Sequence, residues 1–164
     1  MPRLHGYTKK ALIELYTKMV TARRSDEKMM ILLRQGKAFF LTSCAGHEVA
    51  QLAAAQNIKP GVDWSYVYYR DAAFVLGLGT TSREHLLSFL AKKDDPDSGG
   101  RQFPYHFSRK DLRIVSPSSA TGMQYLHAVG AGLAIKWEKS REVVYVSSGE
   151  GTTSQGDFHE ALNW

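Results

Sequence analysis

The residues best suited to chemistry lie in one turn, Gly149-Glu150-Gly151-Thr152-Thr153-Ser154-Gln155-Gly156-Asp157. A β-branched and aromatic run precedes it, Glu142-Val143-Val144-Tyr145-Val146-Ser147-Ser148, which reads as a buried parallel strand. Phe158-His159-Glu160-Ala161-Leu162-Asn163-Trp164 follows and starts a helix, with Asp157 as N-cap and Glu160 three residues on, as in a capping box. Strand, glycine turn and helix start together cradle a phosphate, because free backbone N–H groups and the positive helix end point the same way. Glu150 inside the turn would repel a bare diphosphate but would hold a magnesium ion bridging to one. The pattern points to a metal-bridged diphosphate cofactor, with an ordinary tight turn after a strand as the competing reading.

Two other phosphate loops fit poorly. A nucleotide-hydrolase loop ends in Gly-Lys-Ser/Thr, and no Lys lies in 149–157. The dinucleotide fingerprint needs a third Gly where Ser154 stands. Its ribose-binding acid, about 20 residues past the turn, would fall beyond residue 164, so a nicotinamide site stays open on local pattern alone.

The elements that must position this turn belong to one α/β domain. The chain has 164 residues, 43% hydrophobic and 23% charged, enough for a core of its own. No apolar run is long enough to span a membrane. Met1-Pro2-Arg3-Leu4-His5-Gly6 has neither the apolar core of a signal peptide nor transit character. The single cysteine, Cys44, forms no internal disulfide, which fits a reducing compartment. The net charge of +5 is scattered in pairs such as Lys9-Lys10 and Arg109-Lys110, without interleaved aromatics, so it reads as solvated surface and not as a nucleic-acid face.

Thr8 caps a predicted helix from Lys9 to about Thr21, with Leu12, Ile13, Tyr16, Met19 and Val20 on one face. A second runs from Ser25 to Arg34 and ends at Gly36. A third spans Ala45 to Ile58. Trp64 to Tyr69 reads as a strand, and Arg70 at its C-terminal end is placed to meet an anion, since open α/β sheets bind ligands at that edge; a salt bridge to Asp71 or a neighbour is the alternative. Helices follow from Ala72 to Leu78 and from a Thr81 or Ser82 cap. Lys92 to Gly100 is a loop. Arg101 to Arg113 is too aromatic for a linker, and its His106 is a candidate for a pocket. Ala120 to Trp137 reads as a helix whose Gly130 and Gly132 call for close contact with another helix. Ser118 and Ser119 either cap it or reach a ligand.

Taken together, these segments resemble the alpha subunit of thiamine-diphosphate-dependent 2-oxo-acid dehydrogenases. The likeness runs from about Tyr16 to the last residue. It is carried by Thr21-Ala22-Arg23-Arg24-Ser25-Asp26-Glu27, Gly46-His47-Glu48, Tyr69-Arg70-Asp71, Gly99-Gly100-Arg101-Gln102-Phe103-Pro104-Tyr105-His106-Phe107, His127-Ala128-Val129-Gly130-Ala131, Gly149-Glu150-Gly151 and Ser154-Gln155-Gly156-Asp157-Phe158-His159-Glu160-Ala161-Leu162-Asn163. The resemblance implies a thiamine-diphosphate-binding fold, a parallel sheet flanked by helices, with residues 1–164 as the truncated N-terminal, diphosphate-side part of a longer chain. Tyr69 and Arg70 would contact the diphosphate. Ser119 and Thr121 would lie near the cofactor ring. Gly149, Glu150, Gly151 and Thr152 would hold diphosphate and magnesium, with Glu150 the metal ligand.

Glu at 150, where Asp is usual, occurs in branched-chain members, whereas Phe158-His159-Glu160-Ala161-Leu162-Asn163 looks more like pyruvate and acetoin members. Branched-chain members also bind potassium around a Ser-Ser-Pro-Leu-Ala-Thr-Gln segment. Here Ser118 and Gln124 are kept, but Met123 replaces a hydroxyl ligand. The implied reaction is oxidative decarboxylation of a 2-oxo acid with acyl transfer to a lipoyl-bearing acyltransferase. A beta subunit or fused beta half would supply the glutamate that activates the cofactor, so no catalytic acid or base is expected in this chain. A non-catalytic remnant is the alternative. The implied compartment is the cytoplasm, or the mitochondrial matrix in a eukaryote.

Overall fold

The computed structural model describes residues 6–164; the reading of the N-terminus as no leader peptide rests on Met1–His5, outside the described residues. Three short strands, β1 (Trp64–Tyr66), β2 (Ile114–Val115) and β3 (Val144–Val146), form a parallel sheet in the order β2-β1-β3. The helices are α1 (Lys9–Arg34), α2 (Glu48–Ala55), α3 (Ala72–Leu78), α4 (Ser82–Phe89), α5 (Met123–Trp137) and α6 (Gly156–Asn163), with a 3-10 turn at Glu150–Ser154. Helices α1 to α4 pack as one group, while α5 packs on α6, β1 and β3. The fold is thus the expected α/β arrangement of a parallel sheet flanked by helices.

The strand order fixes where a ligand belongs. From β1 the chain passes through α3 and α4 to β2 on one side, then through α5 to β3 on the other. The crossovers diverge between β1 and β3, and the crevice at the C-terminal ends of two such strands is where open α/β sheets bind. Tyr69-Arg70 follow β1, and Gly149-Glu150 follow β3.

Several elements differ from their predicted form. The two N-terminal helices are one, because Thr21 to Ser25 holds no Gly or Pro to break the ladder. Thr8 does cap it, accepting from Ala11 N–H at 3.2 Å. At its other end Gly36, at φ +69°, closes a Schellman motif, its N–H on the Leu33 carbonyl and that of Lys37 on Leu32. The 26 residues span about 39 Å and outrun the elements packed on them. Only Asp26 and Met29 are buried, and Ile13, Tyr16 and Val20 of the expected inner face are exposed. Helix α2 is shorter than predicted, since Gly46 takes φ +98° just before it. Strand β3 is a half-buried edge strand, not a buried one. Gln155 occupies the N-cap of α6, Asp157 lies within its first turn, and no capping box forms there. Thr81 and Glu84 do form one at α4.

The two kinds of helical glycine separate clearly. A Cβ on Gly77 would sit 2.5 Å from Ala55 Cβ, so α3 meets α2 through this residue. Gly130 and Gly132 meet nothing within 4 Å, so the expected helix contact is not made among the described residues. Gly77→Val is expected to cost about 1–3 kcal/mol by overpacking. Gly130→Ala is expected to stabilise by about 0.5–1 kcal/mol through helix propensity. Denaturant unfolding of the two variants checks both signs.

Candidate functional site

Arg70 sits half-buried beyond β1 and forms no ion pair among the described residues. The alternative of a salt bridge to Asp71 is therefore not realised. Its Nη1 donates to the Ser43 carbonyl at 2.6 Å, and its guanidinium carbon stands 5.7 Å from the Tyr69 ring centre. Ser43 is held in turn by Asp26, which accepts the Ser43 hydroxyl at 2.7 Å and the Cys44 N–H at 2.8 Å. Burial pushes the neighbouring Cys44 thiol up to about 12, which leaves it a packing residue.

Arg70 and Tyr69 line a cleft of about 580 Å³ together with Ser43, His106, Ser119 and Phe40. The His106–Ser119 pair has a defined polarity. His106 Nδ1 lies 3.1 Å from the Phe103 carbonyl, which only an N–H can satisfy. Nε2, 2.7 Å from Ser119 Oγ, then accepts the hydroxyl proton of Ser119 in the neutral ring. Phe40 and Phe103 meet edge to face at 5.6 Å and give the cleft an apolar lip.

A narrow crevice continues from this cleft past Tyr69 and Ser119 to Thr121 and Thr152. Five of the predicted residues therefore converge. Gly149, Glu150 and Gly151 line neither space. They enter the 3-10 turn behind β3, where Thr152 is buried and Glu150 is exposed. A Cβ on Gly149 would stand 2.8 Å from the Tyr68 hydroxyl, so a larger residue there would require that ring to shift. The donor set suits a metal-bridged diphosphate: a guanidinium without an acidic partner, serine and threonine hydroxyls, and a free carboxylate behind the adjacent strand. Of the potassium-type residues, Ser118 Oγ accepts from Ala120 N–H at 3.0 Å, and Gln124 Nε2 donates to the Ser147 carbonyl at 3.1 Å.

The family described as Dehydrogenase E1 component matches residues 16–164. The chain belongs to the dehydrogenase E1 component family. It is 44% identical over 159 residues to the 2-oxoisovalerate dehydrogenase subunit alpha of Bacillus subtilis (strain 168), covering 97% of this chain and 48% of that protein. It is 32% identical over 157 residues to the pyruvate dehydrogenase E1 component subunit alpha of Staphylococcus aureus (strain Mu50 / ATCC 700699), covering 96% of this chain and 40% of that protein. A mitochondrial 2-oxoisovalerate dehydrogenase subunit alpha 2 of Arabidopsis thaliana is 32% identical over 151 residues, 92% of this chain and 32% of that protein. The chain thus spans a third to a half of these relatives' lengths. The E1 family depends on thiamine diphosphate, as the resemblance in sequence implied. No helix among the described residues is long and apolar enough to cross a membrane.

The aromatic lip and the Ser43 carbonyl were not foreseen. The composition of Arg101 to Arg113 singled out its aromatics, but the partner Phe40 lies in a loop without periodicity. The segment is held from beneath by His85, fully buried against Tyr105 and Phe107 and 2.8 Å from Thr80 Oγ1. Burial lowers His85 to about 4, so the neutral ring is the folded form. This contribution is complete above pH ~6.5, the unfolded value, and is lost as pH falls through about 4. Acid unfolding of the parent is expected to lose about 3 kcal/mol over that window, and His85→Gln is expected to flatten the loss. In the glycine turn, Gly149→Ala is expected to destabilise by about 1–3 kcal/mol. Tyr68→Phe, which removes the clashing oxygen, is expected to recover part of it in a double-mutant cycle.

Proposed function

We propose that this chain supplies the diphosphate and magnesium side of a thiamine-diphosphate site in a 2-oxo-acid dehydrogenase, and that the substrate is a branched-chain 2-oxo acid. The observation that carries the reading is Arg70, a half-buried cation with no acidic partner among the described residues, lining a cleft past the C-terminal end of β1, the strand paired with the β3 that leads into the Gly149–Glu150 turn. In this reading Tyr69 and Arg70 hold the diphosphate, and Glu150 gives the metal one carboxylate oxygen. Gly149, Gly151 and Thr152 provide backbone that approaches both closely. Ser119 and Thr121 border the cofactor ring. When bound, thiamine diphosphate supplies the nucleophilic carbon and electron sink for decarboxylation. His106, both ring nitrogens engaged within the chain, borders the 2-oxo-acid part of the cleft with its ring, and Phe40 and Phe103 exclude water from the substrate's side chain.

The greater identity to a 2-oxoisovalerate dehydrogenase subunit than to a pyruvate one favours the branched-chain substrate. We include in the proposal that residues 1–164 are the diphosphate-side part of a longer alpha chain, that a beta subunit or fused beta half completes the site, and that a lipoyl-bearing acyltransferase receives the acyl group. A cytoplasmic location follows the bacterial relative. Potassium is left out, since Met123 stands where a hydroxyl ligand would be.

Calorimetric titration of thiamine diphosphate into the full-length protein with its partner, with and without magnesium, tests the reading. Binding is expected to be weak without magnesium and much tighter with it, and Glu150→Gln is expected to reduce the magnesium-dependent gain roughly tenfold or more. Magnesium-independent binding, or full affinity in Glu150→Gln, would remove Glu150 from the metal site. Turnover of 2-oxoisovalerate against pyruvate decides the substrate.

A further inference from the structure

Asp71 stands at the N-cap of α3 yet makes no side-chain cap. An aspartate there ordinarily accepts an N–H from its own helix's first turn. Gln51 of α2 has taken over that task. Its Oε1 accepts the Ala73 N–H at 3.1 Å, while its Nε2 donates to the Arg70 carbonyl at 2.8 Å and to Asp71 Oδ1 at 3.1 Å. The other carboxylate oxygen turns back towards the sheet. Asp71 Oδ2 accepts the Tyr68 N–H at 3.0 Å and the hydroxyl of Ser147. The residue is 4% exposed, and no ion pair among the described residues includes it.

The place of this contact in the sheet gives it meaning. The paired register of β1 and β3 ends at Tyr66 and Val146, followed by one bond from Ser147 N–H to the Tyr66 carbonyl at 3.2 Å. Past that point the strand ends are joined by Asp71 to Ser147 and by Tyr68 N–H to Ser147 Oγ at 3.2 Å. Tyr68 directly precedes Tyr69-Arg70, and Ser147-Ser148 directly precede Gly149-Glu150. The two strand ends thus meet at the Ser147 hydroxyl, which Asp71 accepts and which accepts Tyr68 N–H.

We propose that Asp71 is a positioning residue whose carboxylate clasps the end of β3 to the end of β1 and so sets the reach between the Tyr69–Arg70 arm and Glu150. The proposal rests on the reading of the site given above. A carboxylate suits the task because it only accepts, and three donors converge on it. An amide of the same size would turn its own N–H groups towards one of them. A purely structural aspartate at this position would cap α3. This one leaves the cap to Gln51 and spends both oxygens on the strand ends and the residue that caps for it.

The test measures how strongly magnesium and thiamine diphosphate support each other's binding. In the full-length protein with its partner, the dissociation constant of thiamine diphosphate is measured without magnesium and at saturating magnesium, and the ratio is the coupling factor. Asp71→Asn is expected to lower this factor about tenfold. Ser147→Ala is expected to lower it as well, and Ser147→Thr, which keeps the hydroxyl, is expected to restore it. Thermal unfolding and subunit assembly are recorded for each variant. A coupling factor equal to the parent's in assembled Asp71→Asn or in Ser147→Ala overturns the clasp, whatever happens to thermal stability. If Asp71→Asn fails to assemble, Ser147→Ala decides. A parent protein whose cofactor binding ignores magnesium overturns the underlying site reading instead.

Discussion

The candidate site depends on buried carboxylates that hold neutral donors instead of cations. Asp71 gathers Tyr68, Gln51 and Ser147 from three separate segments. Asp26 does the same for the turn at Ser43 and Cys44. A buried charge is costly unless its lone pairs are filled, so each of these contacts must form together with the others. Burial pushes the Asp71 carboxyl above its ordinary value, and the bonds from Ser147 and Tyr68 offset only part of that rise. The consequence for the site is indirect but specific. Asp26 fixes the Ser43 carbonyl that receives Arg70, and Asp71 fixes the backbone on which Tyr69 and Arg70 ride. Both anions act on Arg70 without neutralising it.

That separation leaves Arg70 at the cleft with no acidic partner among the described residues. Four other arginines, Arg23, Arg24, Arg109 and Arg113, are matched to acids. Arg23 grips Glu48 through two nitrogens at 2.7 and 3.2 Å, joining α1 to the Gly46-His47-Glu48 turn. Arg109 bridges Glu84 and Asp111, and Arg113 meets Glu142. These pairs staple helix starts and loop ends, and two of the sequence segments that carried the family resemblance meet in the first of them. Arg70, unlike these four guanidiniums, faces a cleft with only a carbonyl and aromatic rings around it.

The fold was legible wherever its cause was local. Of the two caps expected for α4, Thr81 is the one used, and Glu84 three residues on closes a capping box with it. The α/β class followed from alternating strand and helix signals, and Tyr69-Arg70 came out at the sheet edge where β1 ends. Errors arose where the deciding partner was distant or missing from the pattern. The apolar stripe of Ile13, Tyr16 and Val20 is genuinely periodic, but periodicity says nothing about whether a neighbour covers it. Gly77 and Gly130 look alike in sequence, yet only the first meets another helix. Asp157 and Glu160 have capping-box spacing, but Gln155 begins the helix in their place. The contacts that organise the site were beyond reach for the same reason: His106 and Ser119 are 13 residues apart, and Asp71 and Ser147 are 76 apart.

The proposed metal arm also has a chemical logic that single-residue reading misses. Magnesium demands octahedral oxygen ligands and dehydrates reluctantly, so it is commonly held by one or two carboxylates with phosphates and waters completing the shell. Glu150 is one exposed carboxylate, and no group of three His, Cys, Asp or Glu side chains surrounds it among the described residues. Such a ligand binds the free ion weakly. Arg70, with one monodentate bond already given to Ser43, likewise neutralises only part of a diphosphate. Each arm therefore needs what the other brings: the diphosphate completes the metal's oxygen shell, and the metal offsets the charge that Arg70 leaves. By linkage the two ligands must then raise each other's affinity by the same factor. In the proposed site that factor would be set by the reach between the ends of β1 and β3, so the geometry of two strand termini would count for more than the identity of any one ligand.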